Sequence, residues 1–282
     1  MSGVEDTGLD NRRVIAEIGR HRFDWGSRTY VMGIVNVTPD SFSGDGLGGD
    51  RDAAVAQGLR MAAEGADFVD VGGESTRPGH VPVSATEEIA RTEEVVRRLS
   101  KEAAVPVSID TYKLEVAEAA VAAGATMIND VWGLYRSPGL AELAARHDCA
   151  LVVMHNQDGT EYAGDLMVEI KRFLHASVDT ATAAGVPRER ILIDPGIGFG
   201  KTAGQNWEVM RRLEELRELG QPVLIGTSRK SFVGKLLDVP VDARLEGTAA
   251  TVTAAILRGA DVVRVHDVPE MMRVVRVADK MR

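Results

Sequence analysis

Cysteine is almost absent from this 282-residue chain: Cys149 is the single one. That excludes a disulfide scaffold and any zinc or iron–sulfur centre built on several cysteines, and it suits a reducing cytoplasm. Aromatic residues are sparse, at 5%, which argues against a surface that stacks nucleic-acid bases. Positive charge is in deficit. Lys and Arg number 33 against 42 Asp and Glu, a net charge of −9, so the chain is no general binder of polyanions and no nucleic-acid partner is expected. Any anion it holds must meet a local cluster of Arg, Lys or His. No apolar run approaches the ~20 residues that cross a bilayer, so no membrane partner is expected. The first ten residues are polar and acidic, unlike a secretory leader. Residues 1–12 are expected to be disordered, and residues 13–282 to form one domain.

Glycine, by contrast, is plentiful at 29 residues, and the apolar residues are ordered along the chain. Short continuous apolar runs (Tyr30–Val37, Phe68–Val71, Val105–Ile109, Met127–Ile128, Ala150–Met154, Ile191–Ile193, Val223–Ile225 and Val262–Val265) read as strands buried on both faces. Between them, segments such as Asp52–Glu64, Ser84–Leu99, Leu114–Ala123, Leu166–Ala184, Asn206–Leu219 and Ala243–Leu257 have helical periodicity. Ser84-Ala-Thr-Glu87 is a capping-box start. The segments Glu64–Asp70, Ala123–Asn129 and Arg258–Arg264 echo one another: a helix end, a Gly-Ala, then a strand. Eight strand–helix units in this length predict an α/β fold of the (β/α)8 TIM-barrel type. A doubly wound sheet would need a G-x-G-x-x-G in its first strand–helix turn, and Asn36–Ser43 contains none. Arg13–Asp24 predicts a short hairpin closing the barrel bottom.

Barrel enzymes place their sites at the C-terminal ends of the strands. Here those ends carry Asn36, Asp70, Asp110, Asn129 with Asp130, His155, Asp194, Lys230 slightly beyond its strand, and Arg264 with His266. Any single one could cap a helix. In a barrel, however, all eight ends ring one mouth. Asn36, Lys230, Arg264 and His266 suit a phosphate or diphosphate, and the Asn oxygen suits a hard cation such as Mg²⁺. Asp110, Asn129 and Asp194 are mainly acceptors, suited to a flat heterocycle with amidine-like N–H groups. The implied ligand is a nitrogen heterocycle with a phosphorylated arm. Asp194–Lys201 has the composition of a phosphate loop without the Walker spacing. Thr227–Ser231 leads into a helix whose first amides suit a carboxylate. No Ser-His-Asp spacing and no HExxH motif occurs, so positioning and charge stabilisation should carry the chemistry. Cys149 reads as a buried thiol. Trp25, Trp132 and Trp207 read as packing residues, and His21, His80, His147 and His175 receive no role.

Seven motifs in order resemble those of dihydropteroate synthases. They are Met32–Ser43, Asp70–Gly79, Ser108–Thr111, Ile128–Asp130, Asp194–Lys201, Ser228–Ser231 and Arg264–Asp267. The resemblance implies a cytoplasmic barrel enzyme of folate synthesis and a target of sulfonamides. It would join p-aminobenzoate to 6-hydroxymethyl-7,8-dihydropterin diphosphate with Mg²⁺. The homodimer would form through barrel helices. By motif, Asp110, Asn129, Met154, Asp194 and Lys230 would hold the pterin and Asn36 the Mg²⁺. Arg264 and His266 would hold the diphosphate, Arg264 also stacking on the pterin. Thr76, Arg77 and Pro78 would frame the p-aminobenzoate pocket, and Ser231 would meet its carboxylate. Asp45, Arg77, Lys230, Arg264 and His266 are the catalytic candidates.

Two departures stand out. The first-loop acid falls at Asp45, where the family carries it at the position of Gly44. The fifth strand ends Met154-His-Asn-Gln-Asp158 in place of Met-His-Met-Gln-Gly. Two other functions compete. A methyltransferase moving a methyl group from a folate to a corrinoid would share the barrel and the pterin contacts, but not the Glu74–Gly79 loop or Arg264-Val-His266. The shifted acid also admits a non-catalytic paralogue.

Overall fold

Continuous apolar strands need cover on both faces, and closing a sheet into a barrel supplies it. A computed structural model describes residues 14–37, 51–75 and 82–282. Eight parallel strands run in the order β8-β7-β6-β5-β4-β3-β10-β9. They are β3 (Tyr30–Asn36), β4 (Phe68–Gly72), β5 (Val107–Asp110), β6 (Met127–Asp130), β7 (Ala150–Met154), β8 (Ile191–Asp194), β9 (Leu224–Ile225) and β10 (Val262–Val265). A bridge between Ile193 and Val223 joins the two ends of the sheet. The TIM barrel expected from the sequence is therefore the fold observed.

Alternation along each strand sorts the core into two layers. Outward residues such as Val31, Val69, Ile109 and Ile128 pack under the helices. Inward residues (Tyr30, Met32, Phe68, Met127, Val152, Leu192, Leu224 and Val262) fill the lumen. The expected hairpin is β1 (Val14–Ile18) paired antiparallel with β2 (His21–Trp25). Its Ala16, Ile18, Phe23 and Trp25 join the lumen cluster and plug the barrel floor. Phe23 stacks on Phe68 with ring centroids 4.4 Å apart and on Trp25 at 5.4 Å. The Trp25 indole N–H donates to the Glu189 carbonyl at 3.0 Å.

The helices are α1 (Arg51–Ala63), α2 (Ala85–Glu102), α3 (Leu114–Ala123), α4 (Gly139–Arg146), α5 (Leu166–Ala183), α6 (Ala203–Arg211), α7 (Ser231–Leu237), α8 (Leu245–Leu257) and α9 (Val268–Ala278). The repeated Gly-Ala signal has a common cause. Gly65, Gly124 and Gly259 have φ of 104°, 113° and 93°, each a left-handed residue ending a helix before the next strand. Ser84 caps α2 by accepting from the Glu87 backbone N–H at 3.2 Å.

One expected helix, Asn206–Leu219, is two elements. It starts earlier as α6, and the chain leaves helical geometry at Arg212, with φ −111° and ψ 17°. A 3-10 segment, Leu213–Leu219, follows. The Arg212 side chain bonds Asp165, Glu208 and Glu215 at this junction. Leu213 and Leu216, three residues apart, then both turn inward.

If the hairpin plugs the lumen, Phe23→Ala leaves a void under the strands. It should cost about 3–5 kcal/mol in urea unfolding. An unchanged unfolding midpoint would show that the hairpin carries no core.

Candidate active site

The lumen changes character towards the C-terminal ends of the strands. Above the apolar layers, inward positions hold Asp70 on β4, Asp110 on β5, Asn129 on β6, Asp194 on β8 and Arg264 on β10. One oxygen organises much of this ring. Asp70 Oδ2 accepts from Arg264 Nε at 2.6 Å and from Asn129 Nδ2 at 3.0 Å. Arg264 Nη2 donates to Asp110 Oδ2 at 2.7 Å. Burial pushes the Asp110 carboxyl up, with the Arg264 charge opposing and the Asp70 charge adding. Asp70 Oδ1 and Asp110 Oδ1 are buried and take no hydrogen bond from the described residues. Buried acceptors are costly when unmet, so this mouth is built for a ligand rich in N–H donors.

Asp194 forms the opposite wall and is 6% exposed. Its Oδ1 accepts from the Gly196 backbone N–H at 2.7 Å. Burial raises its pKa to about 6, against the pull of that N–H and of the Lys230, Lys201 and Arg264 cations. Lys230 stands at the start of α7, its Nζ 4.2 Å from the Phe199 ring centroid. Asn36 ends β3 opposite Gly72. Its Oδ1 and Asp110 Oδ2 lie 3.8 and 3.7 Å from where a Cβ on Gly72 would sit, so the two oxygens border the same point beside Gly72.

His266 follows β10 and is held in one orientation. Ser228 Oγ accepts from the His266 backbone N–H at 3.2 Å and lies 2.9 Å from His266 Nδ1. Burial, with the Arg264 charge next, lowers the imidazole to about 3. In the neutral tautomer that accepts the Ser228 O–H hydrogen bond at Nδ1, Nε2–H is a donor. Arg229 pairs with Asp267, tying the β9 loop to the β10 loop so that Lys230, Ser228 and His266 share one frame.

The structure sorts the strand-end residues by parity. Asp110, Asn129, Met154, Asp194 and Arg264 lie on inward positions. Asp130 and His155 do not converge with them, contrary to the expectation that all strand ends face one another. Asp130 accepts from the Trp132 and Leu134 backbone N–H groups, at 2.9 and 2.6 Å, and stabilises its own loop. His155 packs against Phe173 of α5 and Tyr162. Asn156, one of the two departures in the fifth-strand motif, is buried and donates to the Val131 carbonyl at 3.0 Å, so it joins two loops. Ser231 is exposed at the first turn of α7. Asp45, Thr76, Arg77 and Pro78 lie outside the described residues.

Sequence reasoning missed a clasp beside the mouth. Lys113 Nζ donates to Glu74 Oε2 and Glu88 Oε2, each at 2.5 Å, and to the Val83 carbonyl at 2.8 Å. It fixes the chain on both sides of residues 76–81. No local signal marks it, because its members are 25 and 39 residues apart from Lys113.

The family model for pterin binding enzymes matches residues 32–266. Over 264 residues the chain is 49% identical to the dihydropteroate synthase of Clostridium beijerinckii, covering 93% of this chain and 98% of that one. It is 48% identical over 254 residues to that of Bacillus subtilis, covering 90% and 89%. The chain belongs to the dihydropteroate synthase family. Solved family structures agree with the barrel. A Clostridium difficile dihydropteroate synthase, determined in the presence of pteroic acid, aligns with a TM-score of 0.88 and 51% identity over 92% of this chain and 98% of that one. The Xanthomonas albilineans enzyme with 4-aminobenzoic acid aligns at 0.90 and 43%, covering 95% and 98%.

If Asp194 takes two pterin N–H groups side by side, it does so only as the carboxylate. With its pKa raised to about 6, pterin affinity should be full above that pH. Below it, affinity should fall by up to ~10-fold per pH unit. Calorimetric titrations of a pterin across this range check the sign. An affinity that rises on acidification would exclude Asp194 as the acceptor.

Proposed function

We propose that the mouth just described is where this chain joins p-aminobenzoate to 6-hydroxymethyl-7,8-dihydropterin diphosphate, yielding 7,8-dihydropteroate and diphosphate. The observation that carries the assignment to this mouth is the set of buried acceptors, Asp70 Oδ1 and Asp110 Oδ1, beside Asp194. They match the N–H-rich edges of a pterin. Asp194 and Asn129 take the amidine edge of the ring, Met154 packs against it, and Lys230 donates to its acceptor atoms. Arg264, held flat by Asp70 and Asp110, stacks on the ring and faces the diphosphate. His266 donates Nε2–H to a diphosphate oxygen.

The described residues offer no activated nucleophile, and the reaction needs none. The methylene C–O bond breaks first, and its electron pair leaves on the diphosphate. The ring nitrogens spread the resulting positive charge, which the Asp110 and Asp70 carboxylates stabilise in a low-dielectric setting. The neutral aniline nitrogen of p-aminobenzoate then attacks the methylene, and the anilinium proton passes to the released diphosphate or to solvent. Thr76, Arg77 and Pro78 frame the p-aminobenzoate, Ser231 meets its carboxylate, and Asp45 serves as the first-loop acid.

Mg²⁺ fits this donor set. Among the described residues no cluster of three His, Cys, Asp or Glu forms an all-protein cage. Mg²⁺ prefers one or two protein oxygens plus phosphate oxygens, which Asn36 Oδ1 and the substrate diphosphate supply. When bound, the ion would neutralise charge on the leaving diphosphate.

The chain works in the cytoplasm as a homodimer in this reading. That the chain carries a single cysteine, the buried Cys149, fits a reducing compartment. An apolar groove of about 280 Å³ between α6, α7 and α8 supports the dimer. It is lined by Trp207, Met210, Val233, Leu236 and Leu237, and Leu236 is 65% exposed. Among the described residues no helix is long and apolar enough to cross a membrane.

A turnover assay with the pterin diphosphate and p-aminobenzoate tests the proposal, with dihydropteroate and diphosphate as the expected products. Asp194→Ala should keep the fold and lose ~2–4 kcal/mol of pterin binding, or roughly 30- to 1000-fold in affinity. No diphosphate release by the wild-type chain, or wild-type pterin affinity in the variant, would refute it.

A further inference from the structure

The Asp194–Lys201 loop has the composition of a phosphate loop, yet its lysine turns inward. Lys201 is 9% exposed. Its Nζ donates to the Gly196 and Phe199 carbonyls, each at 3.1 Å, and lies 2.9 Å from His155 Nδ1. An ammonium has three N–H bonds, and all three are spent inside the protein. The group therefore has no donor left for a diphosphate. Burial lowers the Lys201 pKa to about 7, so on the acid side of that pH the group is the ammonium, His155 Nδ1 accepts from it, and the ring proton sits on Nε2. Burial and the Lys201 charge keep that ring neutral, down to about 3.

The loop is shaped around this ammonium. Gly196, Gly198 and Gly200 have φ of 72°, 85° and 52°, left-handed angles that let the chain wind tightly around the Lys201 side chain. A Cβ on Gly196 would stand 2.0 Å from the His155 carbonyl oxygen, and one on Gly200 2.8 Å from the Gln157 carbonyl oxygen. The Tyr162 hydroxyl donates to the Gly200 carbonyl at 2.9 Å. Two groups at the mouth depend on the loop so held: the Gly196 N–H that orients Asp194 and the Phe199 ring that seats Lys230.

We infer that Lys201 and His155 are positioning residues for pterin recognition. They lock the 194–201 loop around a buried ammonium, so that Asp194 is presented as an oriented carboxylate and Lys230 is seated opposite it. The pair touches no substrate and acts through Asp194 and Lys230. The inference rests on the reading of Asp194 as the pterin acceptor. The charged and titratable groups around Asp194 are Lys201 on its own loop, His155 after β7, Lys230 after β9, Arg264 on β10, and Asp110 and Asp70 on β5 and β4. Removing the Lys201 charge deletes one of the three cations that favour the Asp194 carboxylate.

The test is calorimetric titration of 6-hydroxymethylpterin into the wild-type chain, Lys201→Met, His155→Gln and His155→Leu, each over a range of pH and with its melting temperature. Lys201→Met should bind about tenfold or more weakly, and the pH at which binding is half lost should move upwards. A packing role alone would leave that pH unmoved. His155→Gln keeps an acceptor for the ammonium and should bind like wild type, while His155→Leu should bind about threefold or more weakly. A folded Lys201→Met protein with wild-type affinity, or with weaker binding but an unmoved acid limb, overturns the inference. If Lys201→Met does not fold, the His155 pair decides, and equal affinity of Gln and Leu variants overturns it. A wild-type chain that binds no pterin overturns the reading of Asp194, and the inference with it.

Discussion

A guanidinium sunk into the top of a barrel lumen is the constraint on which the site depends. Taking Arg264 out of water costs several kcal/mol, recovered only through close, well-aligned counter-charges. Asp70 and Asp110 supply them from adjacent strands, at 2.6 and 2.7 Å. The two carboxylates outnumber the guanidinium, so the site keeps residual acceptor capacity at Asp70 Oδ1 and Asp110 Oδ1. That surplus is what a pterin, with its N–H groups and its developing positive charge, would satisfy. The aromatic plug below serves the same end. Phe23, Trp25, Tyr30 and Phe68 seal the floor against water, and charges in a dry lumen interact more strongly than they would in solvent.

Around this centre, orientation is fixed by groups that do not face the mouth. Ser228 holds the His266 ring, the Arg229–Asp267 pair ties two loops, and Lys113 clasps Glu74, Glu88 and Val83. A reaction that proceeds through loss of a leaving group needs such rigid, preorganised charge more than it needs a nucleophile.

Much of this was legible in the sequence, and the limits have a physical cause. Strands buried on both faces leave continuous apolar runs, so every barrel strand could be read. The glycines at 65, 124 and 259 marked helix ends because only a left-handed residue closes those turns. The site followed from strand ends, but inward or outward parity at a strand end turns on one residue. Asn129 faces the mouth and Asp130 does not, and Met154 faces it where His155 does not. Polarity alone could not separate them. Partners distant in sequence were silent too. Nothing local distinguishes Lys201, folded back on two carbonyls of its own loop and on His155, from a lysine that reaches out to phosphate. Lys113 gave no signal for the same reason.

The central claim is that Asp70, which carries Arg264 and Asn129 on a single oxygen, organises the pterin mouth. Calorimetric titration of Asp70→Ala with a pterin tests it most directly. A folded variant that binds about tenfold or more weakly than wild type is the predicted result. Affinity within about threefold of wild type would show that Arg264 and Asn129 hold their places without it, and would contradict the account.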